Sequence, residues 1–265
     1  MKHQPLGYRV VPAARPFDIT EFKQAGRNVL VVSPHPDDDV LGVGGAMALL
    51  AQKGLNVFSL YVTDGAGGTC GGKVLPGRRQ REAVAALRAA GARAGIFLNL
   101  SSRFVKTGDL KKTAAAIRDV LAFLMPGAVY SVSPFERHIT HRRVAEMTAG
   151  AIRQIRGYQP QLWGYSVWGG VAGLPGTCVV DITSVVGIKR QAIARHKSQL
   201  SYKAYADGML GRNRYEGIYM HTHGPESFQY AETLLDMREL VMSRRLNIAA
   251  FKKKVLGGLL FHDVS

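Results

Sequence analysis

The chain has 265 residues, 46% of them hydrophobic and 20% charged. That balance excludes a disordered chain and is ample for one sizeable core. No apolar run approaches the roughly 20 residues of a membrane span, and the amino terminus opens no apolar signal region, so the expected location is the cytoplasm. In chain order, residues 1–27, with Pro5, Pro12 and Pro16, read as a surface strap. Asn28 to Ser33 reads as a buried strand. It runs into His35-Pro36-Asp37-Asp38-Asp39 and then into a helix from Gly42 to Lys53. Asn56 to Val62 is a second strand ending at Thr63-Asp64-Gly65. A glycine-rich loop, 66–77, leads to a helix over Arg78–Ala90. Ile96–Leu100 and Ala128–Val132 read as the third and fourth strands, with a helix over Leu110–Met125 between them. A further helix, Arg142–Arg156, follows the segment His138-Ile139-Thr140-His141.

Beyond residue 157 the pattern changes. Gln161–Trp168 and Thr177–Ile182 read as strands and Thr183–Leu200 as one helix. Residues 202–219 read as irregular and 231–254 as helical. The alternation of strands and helices up to residue 156 predicts an α/β fold. Its sheet is Rossmann-like and mostly parallel, with helices on both faces. With no Ser/Gly/Pro-rich linker, residues 1–265 are expected to form a single domain. Its core spans about 28–230, between the amino-terminal strap and a basic helical carboxyl-terminal extension. Right-handed crossovers place the carboxyl ends of the strands on one edge, which is where open α/β sheets bind ligands. His35, Asp37 and Asp38 follow the first strand, Asp64 the second, and His138 and His141 the fourth. All are therefore expected to gather there.

This gathering has a chemical reading. Three adjacent carboxylates repel one another unless a cation stabilises them, although a solvated acidic turn capping a helix is the plainer alternative. A catalytic zinc takes three ligands from His, Asp, Glu or Cys and leaves a fourth position open. His35 and Asp38, three apart across a turn, can reach one ion, and His141 can supply the third ligand. Asp37 then stands beside the metal as a general base, and His138 faces the same cavity as oxyanion partner or proton donor. Cys70 and Cys178 are far apart and form neither a C-x-x-C pair nor a disulfide framework.

His35-Pro36-Asp37-Asp38, after an apolar strand and before Val40-Leu41-Gly42-Val43-Gly44-Gly45, resembles the signature of the PIG-L/LmbE-like N-acetylglucosaminyl deacetylases. Thr63-Asp64-Gly65, Arg79-Gln80-Arg81-Glu82, His138-Ile139-Thr140-His141, Lys189 to Gln199 and Pro225-Glu226-Ser227-Phe228 resemble further motifs of that family in its order. The resemblance implies a hydrolase using Zn2+, or another divalent metal, to remove an N-acetyl group from an N-acetylglucosamine-type sugar. It implies His35, Asp38 and His141 as metal ligands, Asp37 as general base and His138 as oxyanion partner. Arg79 and Asp64 become candidates for sugar contact or for holding the site's shape. Four positions depart from the pattern: Asp39 replaces the usual Glu, Ile139-Thr140 replaces Pro-Asp, and Ser102 aligns with a sugar-binding Asp. His223, near a turn, is a further candidate for substrate contact.

The net charge of +16 points to anionic partners. The expected substrate is an amino sugar, nucleotide-, phosphate- or lipid-linked, with an anionic membrane surface as a possible peripheral location. No RNA-recognition, zinc-finger or homeodomain pattern accompanies the scattered basic residues, so no specific nucleic-acid partner is expected. A homo-oligomer is compatible with the sequence. The alternative function is a non-catalytic nucleotide- or nucleic-acid-binding α/β protein. For a dinucleotide, Gly42-Val43-Gly44-Gly45 follows a strand and Asp64 ends the next one. But Met47 takes the third glycine position, and three Asp residues precede the glycines, where they would repel a pyrophosphate.

Overall fold

The computed structural model describes residues 9–13, 26–66, 75–108, 110–201, 203–220, 228–243 and 247–259. The expected fold class is observed: a mixed α/β architecture built on one sheet. Its centre is strand β2 (Asn28–Ser33), whose six residues are all buried. β2 pairs in parallel with β3 (Asn56–Thr63) on one side and β5 (Ala128–Val132) on the other. Outside β3 lies β4 (Ala94–Leu100), again parallel, and outside β5 lies β6 (Gln161–Tyr165), also parallel. Near-continuous apolar runs suit these strands because helices cover both faces of such a sheet.

The full strand order is β1-β4-β3-β2-β5-β6-β8-β7, where β1 is Arg9–Pro12, β7 Thr177–Asp181 and β8 Ala231–Asp236. The chain builds outward from β2 through β3 to β4. It then crosses back to place β5 on the other flank of β2. The β2/β5 boundary is therefore the switch point of the sheet, where diverging connections open a crevice beyond the strand ends.

Several local readings are corrected. Within the expected strap, Arg9–Pro12 form an edge strand antiparallel to β4, and Ala13 is fully buried. Helix α1 (Asp38–Gln52) begins before Gly42 and is interrupted at Val43. Helix α2 spans Pro76–Ala89, and a short helix α3, Ser102–Thr107, follows β4. The Ser101 hydroxyl accepts the Phe104 N–H and so caps α3. Helices α4 (Leu110–Leu124) and α5 (Ile139–Arg153) flank β5 in sequence.

The segment read as one helix over 183–200 is a 3₁₀ turn followed by α6 (Val186–Ile193) and α7 (Lys197–Leu200). Residues read as irregular form α8 (Tyr205–Tyr219). The start of the region read as helical is β8, inserted antiparallel between β6 and β7. Only after it come α9 (Glu239–Met242) and α10 (Ile248–Leu259). Ala-Glu-Thr-Leu-Leu has no strand alternation, and pairing on both sides overrides its local preference. Among the described residues no helix is long and apolar enough to cross a membrane.

The glycines of α1 have a packing reason. A Cβ on Gly42 would lie 2.2 Å from the Tyr165 ring, and one on Gly45 would lie 2.5 Å from Ile182. Just past the interruption at Val43, the N–H groups of Gly45 and Ala46 donate to the carboxylate of Glu232, both at 2.8 Å. Lys189 Nζ closes the group at 2.7 Å from Glu232 Oε1. A protein carboxylate thus already fills the place where a dinucleotide's pyrophosphate would dock.

Candidate active site

The turn after β2 is held rigidly. Ser33 Oγ donates to the His35 carbonyl at 2.7 Å, and Thr63 Oγ1 donates to the Pro34 carbonyl at 2.8 Å. The three aspartates that follow take three different partners, which is how their mutual repulsion is resolved. Asp37 Oδ1 pairs with Arg79 Nη2 at 2.8 Å. Asp38 Oδ2 faces His35 Nδ1 at 2.9 Å and His141 Nε2 at 3.2 Å. Asp39 turns into the core, where it accepts hydrogen bonds from Ser59 Oγ at 2.8 Å and Tyr61 Oη at 2.6 Å. Burial raises the Asp39 pKa to about 6, against the lowering effect of those hydrogen bonds. Successive helical residues point about 100° apart, so one turn of α1 serves both the crevice and the sheet.

His141 arrives from the start of α5, beyond β5, and is fully buried. Its Nδ1 lies 3.1 Å from Glu136 Oε2. With Nδ1–H donated to Glu136, the Nε2 lone pair faces Asp38 and, at 3.2 Å, His35 Nδ1. Burial disfavours charge on both His141 and Asp38. Their mutual attraction overrides it, pushing the His141 pKa up to about 10 and holding the Asp38 carboxyl well below the usual range. The arrangement calls for positive charge at this point, either a proton or a cation.

Its spacing suits a metal ion. The separations of 2.9, 3.2 and 3.2 Å between His35 Nδ1, Asp38 Oδ2 and His141 Nε2 approach the roughly 3.3–3.6 Å between ligands of a tetrahedral zinc. One ring nitrogen from each of His35, His138 and His141 also lies within 4.8 Å of the others, a wider set that overlaps the first. The His138 ring centroid lies 5.4 Å from that of His35 and 5.0 Å from that of His141. Burial and the neighbouring His35 and His141 lower the His138 pKa to about 4, so it is neutral near pH 7.

These groups open into a cavity of about 150 Å³. Asp37, Arg79, His138, Ser102 and Lys106 are among its lining residues, as are Trp168 and Tyr205. Ser102 and Lys106 both come from α3. Asp64 does not line this cavity: its carboxylate accepts the Ala66 N–H, and Gly65 reaches the wall instead. Arg79 Nη1 donates to the Gly65 carbonyl at 2.9 Å, so one guanidinium fixes both that loop and Asp37. His223 lies outside the described residues.

Sequence reasoning missed Glu136. This buried carboxylate accepts N–H groups from Val167, Trp168 and Gly169 while holding His141. Burial disfavours its charge, but the His141 contact and these backbone donors keep its pKa below the ordinary value. Its signal in the sequence was weak, a lone Glu two residues before His138 in a loop. The Ser198 N–H and hydroxyl bind Glu82, tying α7 to α2 so that Gln199 reaches the cavity wall.

A family model described as PIG-L: GlcNAc-PI de-N-acetylase matches residues 30–152. The diacetylchitobiose deacetylase of Thermococcus kodakarensis is 28% identical over 202 residues, 69% of this chain and 74% of the relative. The solved N,N'-diacetylchitobiose deacetylase from Pyrococcus horikoshii has a TM-score of 0.68 at 21% identity, with 86% of this chain and 90% of that one covered. GalB, the 4-carboxy-2-hydroxymuconate hydratase from Pseudomonas putida KT2440, has a TM-score of 0.64 at 24% identity, covering 80% of this chain and 96% of its own. These two structural likenesses establish the fold, which carries more than one reaction. The family match over residues 30–152 covers β3, β4, β5 and most of β2 and α5, and with them the turn that carries His35 to Asp39 and the segment from His138 to His141.

Proposed function

We infer that the protein is a metal-dependent N-deacetylase of an N-acetylglucosamine-type sugar or conjugate. The observation that carries this reading is the convergence of His35 Nδ1, Asp38 Oδ2 and His141 Nε2 within 3.2 Å of one another. Those residues would hold the ion, and their nitrogen and carboxylate donors suit Zn2+. When bound, a divalent ion supplies Lewis acidity, polarising an amide carbonyl and lowering the pKa of water.

The chain's own residues do the rest. Asp37, fixed by Arg79 at the cavity wall, takes a proton from the attacking water as the new C–O bond forms at the acetyl carbon. His138 offers a ring N–H to the oxygen on which negative charge develops. The C–N bond then breaks, the departing nitrogen receives the proton held by Asp37, and acetate and a free amine result. Ser102 and Arg79, at the wall, are the candidates for contact with the sugar. The family description and the 28% identical deacetylase support this chemistry over the other reactions the fold can house.

The test is acetate release from N-acetylglucosamine derivatives before and after treatment with a chelator. Release that stops with the chelator and returns with zinc is the expected result. A zinc-loaded protein that releases no acetate from any such derivative would move the reading to a different reaction at the same centre. The net charge of +16 and Lys106 on the cavity wall support an anionic carrier on the sugar. Anionic substrates should then outpace neutral ones at low salt, and the advantage should shrink as salt rises. Equal rates at low salt remove that part of the proposal.

A further inference from the structure

The cavity at the candidate metal centre is small, about 150 Å³. Pockets that enclose whole drug-sized ligands hold roughly 300–1,000 Å³. A larger substrate reacting there must therefore extend beyond it. A second hollow of about 450 Å³ adjoins it, and the two share Trp168 and Tyr205 as a common wall. We propose that this second hollow is an aglycone subsite, taking an apolar, CH-rich group attached to the sugar whose amide lies in the first cavity. The proposal rests on the deacetylase reading for the chemistry, but not for the binding.

Three observations carry it. The first is rigidity. Glu136 accepts the N–H groups of Val167, Trp168 and Gly169 and also holds His141, so one carboxylate fixes both the backbone that carries Trp168 and a candidate metal ligand. The Trp168 and Tyr205 rings meet edge to face, with centroids 5.7 Å apart. A ligand spanning the two cavities would meet a surface already in place, which limits the ordering cost of binding.

The second observation is chemical character. Val167, Trp168, Ala204, Tyr205 and Met209 give the hollow an apolar lining. Its arginine is already engaged: Arg212 donates to the carbonyls of Gly169 and Ser166 and pairs with Glu216. Lys203 Nζ sits 5.0 Å from the Trp168 ring centroid, a cation–π arrangement. What the hollow offers a ligand is therefore mainly aromatic and aliphatic surface, which suits the CH face of a second pyranose ring or an alkyl chain.

The third observation is space. Gly208 lines the hollow from α8, and a Cβ built on it meets no atom within 4 Å. Gly211, on the same helix, is equally open but lies outside the lining. Leucine at either position is a better helix former than glycine. The pair therefore separates filling of the hollow from any general effect on the helix.

The experiment compares kcat/KM for the methyl, hexyl and β-glucosyl glycosides of N-acetylglucosamine. Wild type is expected to favour hexyl or β-glucosyl over methyl by about tenfold or more, mainly through KM. Whichever of the two gains identifies the source of the CH-rich group. Gly208→Leu should bring the ratio to within about twofold of unity, whereas Gly211→Leu should keep the wild-type ratio. Calorimetry with hexyl β-D-glucoside, which has no amide to cleave, reads the subsite without the reaction. Binding that Gly208→Leu weakens about tenfold or more and Gly211→Leu leaves intact supports the subsite even if no acetate is ever released. Acetate release with equal ratios in all three proteins, or hexyl glucoside binding unaffected by Gly208→Leu, overturns it.

Discussion

Lys189→Met tests how the candidate site is anchored to the sheet. Lys189 and Glu232 are 0% and 1% exposed, with Nζ and Oε1 2.7 Å apart. Glu232 also accepts the Gly45 and Ala46 N–H groups beyond the interruption in α1. Burial lowers the Lys189 pKa, and Glu232 counters it. Methionine preserves most of the side-chain bulk but strands a buried carboxylate, a change that costs about 3–5 kcal/mol. Lys189→Met with Glu232→Gln removes both charges and leaves an amide oxygen to accept one of the two N–H groups. The double variant should lose less, about 1–3 kcal/mol for the weakened hydrogen bonding. Urea unfolding followed by circular dichroism measures both, with a similar m value expected throughout. A single variant that loses less than about 1 kcal/mol would refute the reasoning. So would a double variant that loses as much as Lys189→Met alone.

Three further outcomes follow from the site. Glu136→Gln loosens the orientation of His141 and should weaken zinc binding about 10- to 100-fold by calorimetry; unchanged affinity would show that His141 is held by other means. Asp37→Asn should retain zinc but lose about 10²- to 10⁴-fold in turnover, and a normal acetate-release rate would remove Asp37 from its role. His196 is buried, and burial lowers its pKa to about 4, with the Asp37 charge opposing the shift. Its unfolded form, near 6.5, takes up a proton first. Stability is therefore fully present above about pH 6.5 and falls as pH drops towards 4, by at most about 1.4 kcal/mol per pH unit. His196→Gln should flatten that part of the urea-midpoint profile relative to wild type, and parallel profiles would show that His196 is not the group responsible.

The central sheet was legible because β2 to β5 are short, largely apolar runs ended by Pro, Asp or Ser, and their alternation with helices leaves few topologies. The meeting of His35, Asp38 and His141 followed from that topology, since carboxyl ends of parallel strands share an edge. The switch point between β2 and β5 was not legible, because strand order is not written in local pattern. Glu232 illustrates the second limit. In a stretch of helix formers it looks like an exposed side chain, and only β8 pairing on both flanks and Lys189 from α6 explain its burial. Glu136 was hidden for a similar reason: its partners, His141 and Val167 to Gly169, lie on either side of β6 in the chain. The hidden α8 carries Gly208, Gly211 and Gly217, and glycine is a poor helix former.

Whether His35, Asp38 and His141 hold an ion is decided by zinc binding in calorimetry, wild type beside His141→Ala, after removal of metal with a chelator. One ion per wild-type chain and no binding at that site in the variant are expected. A wild-type protein that takes up no zinc or other divalent ion, or a variant that binds as wild type does, would contradict that assignment.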